Sequence, residues 1–144
     1  MKVAVVGSRG LTLTDLQKYL PTATTELISG GAKGVDACVK NYANEWGIPL
    51  TEFLPDYRHY GKGAPLKRNR TIVETADAVV AFWDGLSKGT AYVIDLCAKM
   101  RKPITVYMVA QQGVFIERTE VSDVLTTGGK KCMMNEIVKP KEES

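Results

Sequence analysis

Three short stretches of this chain combine the residue types that hold anions: Gly7-Ser8-Arg9-Gly10, Gly30-Gly31-Ala32-Lys33-Gly34 and Trp83-Asp84-Gly85-Leu86-Ser87-Lys88. Glycine lets backbone N–H groups approach a ligand closely. Hydroxyls and cations add donors and charge, and a helix starting at such a loop turns its positive dipole end toward the same point. The chemistry that follows is capture of a phosphate, with Gly7, Ser8, Arg9, Gly30, Gly31, Lys33, Ser87, Gly89 and Thr90 as lining residues. One glycine loop is equally well a plain tight turn; the weight lies in three of them leading into helices. The cations share this geography, since Arg9, Lys33, Arg58, Lys62, Lys67, Arg68, Arg70 and Lys88 sit in or just after loops, and no acidic residue occurs from Tyr57 to Val73. A one-signed cluster raises the local concentration of an anionic ligand, although about half of such a run is the ordinary solvated face of a helix.

Two carboxylates in these stretches, Asp36 and Asp84, are the candidate catalytic groups. A carboxylate can activate water or stabilise an oxocarbenium-like state while an N-glycosidic bond breaks. It can equally brace a helix, at Asp36, or shape a turn, at Asp84. Trp83, Tyr57, His59 and Tyr60 offer flat rings on which a base could stack, whereas Trp46 has the spacing of a core residue. His59 is the only histidine and has no evident Ser or Cys partner, so a nucleophilic triad is not expected. Cys38, Cys97 and Cys132 are odd in number and lack a CxxC pair, which argues against a disulfide framework and a zinc site. Cys38 and Cys97 read as small apolar groups in helices and Cys132 as an exposed thiol in a polar tail; no metal and no cofactor is expected.

The elements that must position these residues alternate between short apolar runs and longer stretches of helical period, the signature of βαβ units and a parallel sheet. Strands are predicted at Lys2–Val6, Thr25–Ser29, Leu50–Leu54, Ala78–Phe82 and Ile104–Val109. Helices are predicted at Thr14–Leu20, from Val35 to Trp46, from Pro65 to about Ala76 and at Gly89–Arg101, with Asp56–Gly63 as a loop. Arg68 then lies about one turn into its helix, mostly hydrated and within reach of a phosphate, with Asn69 beside it. Val114–Ile116 is read as an edge strand and Val121–Leu125 as a helical turn. The expectation is a Rossmann-like, doubly wound α/β sheet of about five parallel strands in one domain. That domain spans residues 1–127, and residues 128–144 form a polar, flexible tail.

With 144 residues, 44% of them hydrophobic and 24% charged, the chain has an ordinary globular balance. A net charge of +3 is too small to argue for duplex DNA, so nucleic acid is not the expected partner. The chain runs from Met1 straight into a strand, and no apolar run reaches membrane-spanning length, which predicts a cytoplasmic protein without membrane contact.

Val5-Val6-Gly7-Ser8-Arg9, Ser29-Gly30-Gly31-Ala32-Lys33-Gly34-Val35-Asp36, Arg68-Asn69 and Trp83-Asp84-Gly85 through Ser87-Lys88-Gly89-Thr90 together resemble the motifs of the SLOG superfamily, over Met1 to about Tyr107. That superfamily joins the DNA-processing protein A group to the LOG (LONELY GUY) phosphoribohydrolases, and its small stand-alone bacterial and phage members look most similar. The resemblance implies a Rossmann-like fold that binds nucleotide-derived ligands at these loops, often as a homo-oligomer. It also aligns Arg68 and the Gly89-Thr90 pair with LOG site residues but puts Val93 where those enzymes carry a catalytic glutamate. Valine cannot assist glycosidic cleavage, which disfavours a LOG-like hydrolase. The leading expectation is therefore a module that senses or sequesters a nucleotide-derived ligand. A phosphoribohydrolase-like N-glycosidase using Asp36 or Asp84 comes second, and single-stranded DNA binding third.

Overall fold

The computed structural model describes residues 1–109, 116–121 and 137–138. β1 (Lys2–Gly7), β2 (Glu26–Ser29), β3 (Leu50–Glu52), β4 (Ala78–Trp83) and β5 (Ile104–Val109) pair in parallel in the order β3-β2-β1-β4-β5. Between them run α1 (Val35–Trp46), a single turn α2 (Tyr57–Tyr60), α3 (Ala64–Thr75) and α4 (Lys88–Met100). The sheet continues past β5 into two antiparallel strands, β6 (Ile116–Val121) and β7 (Ile137–Val138).

Alternation along β1 decides the layering. Val3 and Val5 face a core built with Val35, Val39 and Ala43 of α1, with Leu11 and with Leu16 of a short 3₁₀ segment, Leu16–Tyr19. Ala4 and Val6 face the opposite core, made with Ile72, Val73 and Ala76 from α3 and its end and with Val93, Leu96 and Cys97 of α4. A central strand covered on both faces has to be apolar at every position, which is why β4 reads Ala-Val-Val-Ala-Phe-Trp. Its Phe82 is fully buried and stacks on Tyr107, with ring centroids 5.3 Å apart.

The α/β class, the five parallel strands and the three long helices match the expectation from sequence, and four local readings are corrected. The segment 56–63 is not a plain loop: Asp56 caps α2 by accepting the His59 N–H, and Gly61–Gly63 adds a 3₁₀ turn. The helix predicted at Thr14–Leu20 is only a 3₁₀ segment, Leu16–Tyr19. The predicted edge strand at 114–116 lies at Ile116–Val121 instead, where it pairs antiparallel with β5. Trp46 is not core: it is 56% exposed and tilts over Tyr42 one turn earlier, beside the Val35-Val39-Ala43 stripe that meets the sheet.

Cys97 is fully buried, and burial pushes its thiol up to about 12. The half-buried Cys38 accepts the Leu13 N–H through Sγ. Cys132, the helical turn read at 122–125 and all of 128–144 except 137–138 lie outside the described residues. No helix among the described residues is long and apolar enough to cross a membrane.

Candidate functional site

The chain leaves β1 toward β2 and β3, and it leaves β4 in the opposite direction toward β5. Loops that part in this way open a crevice at the carboxyl ends of the two strands. Here it is a cleft of about 450 Å³, within the range of small-molecule sites. Four segments wall it: the turn after β1, the loop from β2 into α1, one face of α3, and the loop from β4 into α4.

The first wall carries Gly7, Ser8, Arg9 and Gly10. Gly7 has to be glycine because a Cβ there would come within 2.5 Å of Val35 Cγ2. Ser8 extends the β1–β4 ladder by donating its N–H to the Phe82 carbonyl at 3.1 Å. Ser8 lines the cleft at 3% exposure, and its Oγ is buried with no hydrogen-bond partner among the described residues. Arg9 is exposed at the rim, its backbone wedged against Gly34, where φ is +72° and any Cβ would run into the Arg9 carbonyl.

The second wall is a tie between Gly30, Asp36 and Arg68. Arg68 Nη1 donates to the Gly30 carbonyl at 2.8 Å and to the Phe53 carbonyl at 3.4 Å, while Nε donates to Asn69 Oδ1 at 2.8 Å. Asp36, 9% exposed, accepts the Ala32 N–H at 2.9 Å. A Cβ on Gly30 would stand 2.6 Å from Arg68 Nη1 and 3.2 Å from Asp36 Oδ2, so any side chain there would have to displace the guanidinium. Burial raises the Asp36 carboxyl above its ordinary value; the Ala32 N–H and the Arg68 charge pull it partway back. Burial likewise lowers the Arg68 guanidinium, against the opposing pull of Asp36. Arg68 is thus half-buried and bonded to two loops, which corrects the expectation of a mostly hydrated side chain.

The third wall explains how a helix serves the site. Pro65, Arg68, Asn69 and Ile72 all line the cleft, and their spacing of three, four and seven residues from the first puts them on one face of α3. Pro65 and Ile72 were missed from sequence, although this spacing around Arg68 was the signal that could have found them. Val6 also lines the cleft without having been expected, and Gly10 and Ala32 line it as members of the expected loops that were not themselves named as lining residues.

The fourth wall holds Asp84, Ser87, Gly89, Thr90 and Val93. Asp84 Oδ1 accepts the N–H groups of Leu86 and Ser87, each at 2.8 Å, and these two bonds hold its pKa below the ordinary carboxylate value. Ser8 adds a smaller effect in the same direction, from outside hydrogen-bonding geometry. Asp84 therefore shapes the turn. Ser87 caps α4 by accepting the Thr90 N–H, which leaves the N–H groups at Lys88 and Gly89 without intrahelical acceptors. Val93 is 1% exposed and forms part of the apolar back of the cleft with Val6 and Ile72.

Of the residues expected at the site, Gly7, Ser8, Arg9, Gly30, Arg68, Asn69, Ser87, Gly89 and Thr90 meet around this cleft, together with both candidate carboxylates. Gly31, Lys33 and Trp83 do not line it. Gly31 sits at φ +70° and donates its N–H to Ser29 Oγ, Lys33 is exposed, and Trp83 donates its indole N–H to the Ser87 carbonyl at 3.0 Å, bracing the loop from behind. Arg70 pairs with Glu74 at 3.0 Å on the outer face of α3. Among the described residues no group of three or more His, Cys, Asp or Glu side chains could hold a metal ion. Comparison with protein-family models, with curated proteins and with solved structures gives no match to this chain.

Proposed function

We propose that this chain is a SLOG-type domain that binds a nucleotide or nucleotide-derived phosphate ligand in the cleft between β1 and β4 and holds it without cleaving it. The observation that carries this reading is the Ser8 hydroxyl, buried and unpartnered among the described residues, on a residue that lines the cleft. A buried hydroxyl without a hydrogen bond costs stability, so one in the wall of a cleft that also holds a helix N-terminus fits a site whose acceptor arrives with the ligand. Phosphate oxygens are such acceptors, and Gly89 and Arg9, which also line the cleft, supply a further backbone donor and positive charge. Retention without cleavage follows from the apolar Val93 at the back of the cleft and from Asp84, committed to its own turn. The same proposal has the protein working in the cytoplasm as a homo-oligomer.

Isothermal titration of the full chain against AMP, ADP-ribose and cyclic nucleotides tests the reading. Saturable binding of at least one is expected, and the absence of heat across the panel overturns it. A second reading, hydrolysis of an N-glycoside, is favoured by Asp36 alone: it lines the cleft with a raised pKa, the property of a general acid. Release of free base from AMP, abolished by Asp36→Asn, would establish that reading in place of the first.

A further inference from the structure

The cleft is large enough for a whole mononucleotide, yet the surface equipped for nucleotide chemistry continues beyond it. Where α2 leads into α3, Tyr57, Tyr60 and Leu66 are all exposed, interleaved with Arg58, Lys62 and Lys67 and with no acidic residue from Tyr57 to Val73. Tyr60 is already flanked, by His59 at 5.2 Å between centroids and by the Lys67 ammonium at 5.2 Å from its ring. Tyr57, 58% exposed, has neither a ring nor a cation over it among the described residues, and it lies within electrostatic reach of Arg68. Pro65 and Arg68, which line the cleft, belong to the same α3 turn as Lys67, so this basic and aromatic strip adjoins the cleft mouth.

Resting on the function proposed above, we propose that the ligand carries a second, phosphodiester-linked nucleotide unit whose base stacks on Tyr57 while Lys62 and Lys67 face its phosphate. Charge selects an anion for the strip, and the open ring selects a flat aromatic group rather than an acidic side chain. One base stacked on an aromatic residue is worth on the order of a ten- to hundredfold in affinity.

Titration of the full chain with AMP and with the 5′-phosphorylated dinucleotide pApA provides the test. The dinucleotide is expected to bind ten- to a hundredfold more tightly. Tyr57→Ala should remove that advantage while leaving AMP binding unchanged, and Tyr57→Phe should restore it. If AMP binds and pApA binds no better, or if Tyr57→Ala weakens both ligands equally, the second subsite is wrong and the cleft reading stands. If neither ligand binds and the wider panel is also silent, the cleft reading falls and takes the subsite with it.

Discussion

Replacing Ser8 by alanine should make the unliganded protein more stable and a worse binder, two changes of opposite sign from one oxygen atom. Ser8 is 3% exposed and its hydroxyl oxygen is buried with no hydrogen-bond partner among the described residues, while the backbone N–H of the same residue is secured to Phe82 and does not change on substitution. Burying a hydroxyl without a partner costs about 1–3 kcal/mol in proteins, and the methyl group of alanine removes that cost without leaving a sizeable cavity. Allowing for relaxation around the site, a gain of about 1–2 kcal/mol is expected. At roughly 3–4 °C per kcal/mol for a chain of this size, Tm should rise by about 3–8 °C. The liganded protein loses instead a hydrogen bond to a charged acceptor, worth about 1.5–3 kcal/mol, so affinity should fall roughly ten- to a hundredfold. Thermal melts of both proteins without ligand, followed by titration with the tightest nucleotide of the panel, measure both effects. A lower Tm in the variant would refute the reasoning, because it would mean that the Ser8 hydroxyl is bonded in the free protein, with Asp84 the nearest candidate. Unchanged affinity would remove Ser8 from the site.

Arg68→Ala should reduce stability by about 2 kcal/mol as well as weaken binding, since its guanidinium is bonded to the Gly30 and Phe53 carbonyls; chemical denaturation and titration of the one variant measure the pair, and an unchanged denaturation midpoint would return Arg68 to the solvated face. Asp36 has its folded-state pKa raised above 3.8 by burial, so the stability it contributes is complete below that value and is lost as pH rises through the raised one. Asp36→Asn keeps an acceptor for the Ala32 N–H without the charge. The stability difference between variant and parent should therefore grow in the variant's favour as pH rises above about 4, and a constant difference in urea midpoints would show that Asp36 does not titrate with a raised pKa. Gly34→Ala combines a positive φ with a collision at the Arg9 carbonyl, and should cost at least about 1 kcal/mol while displacing the Ser8 turn; a melt and a titration indistinguishable from the parent would contradict it.

Much of the scaffold was legible because periodicity reports burial directly. The Val35-Val39-Ala43 stripe and the unbroken apolar run of β4 each point to one arrangement, one face for the helix and two for the central strand. Glycines were legible as loops but not by role: sequence alone does not separate Gly30, squeezed between Arg68 and Asp36, from Gly31, whose conformation is special but which does not line the cleft. The placement of Trp83 was not legible for a related reason. A ring at the end of a strand can stack on a ligand or brace a loop, and only the direction of its indole N–H, toward the Ser87 carbonyl, decides. The bonding of Arg68 was invisible because its acceptors, Gly30 and Phe53, lie 38 and 15 positions away along the chain. Ser8 was named for its residue type, but that its hydroxyl is unpartnered is a property of the fold.

The bonds from Arg68 to Gly30 and Phe53 join a helix to the segments that follow two different strands, and this bears on how the protein moves. Freeing either segment means withdrawing a charged group from its carbonyl, so the two should open together, as a unit, and less often than glycine-rich loops ordinarily do. Slow, correlated hydrogen exchange at their amides would be the visible sign. A wall held in this way enters the complex already ordered and loses little conformational entropy when a ligand arrives, so ligand affinity should depend more on the contacts made than on the cost of arranging them.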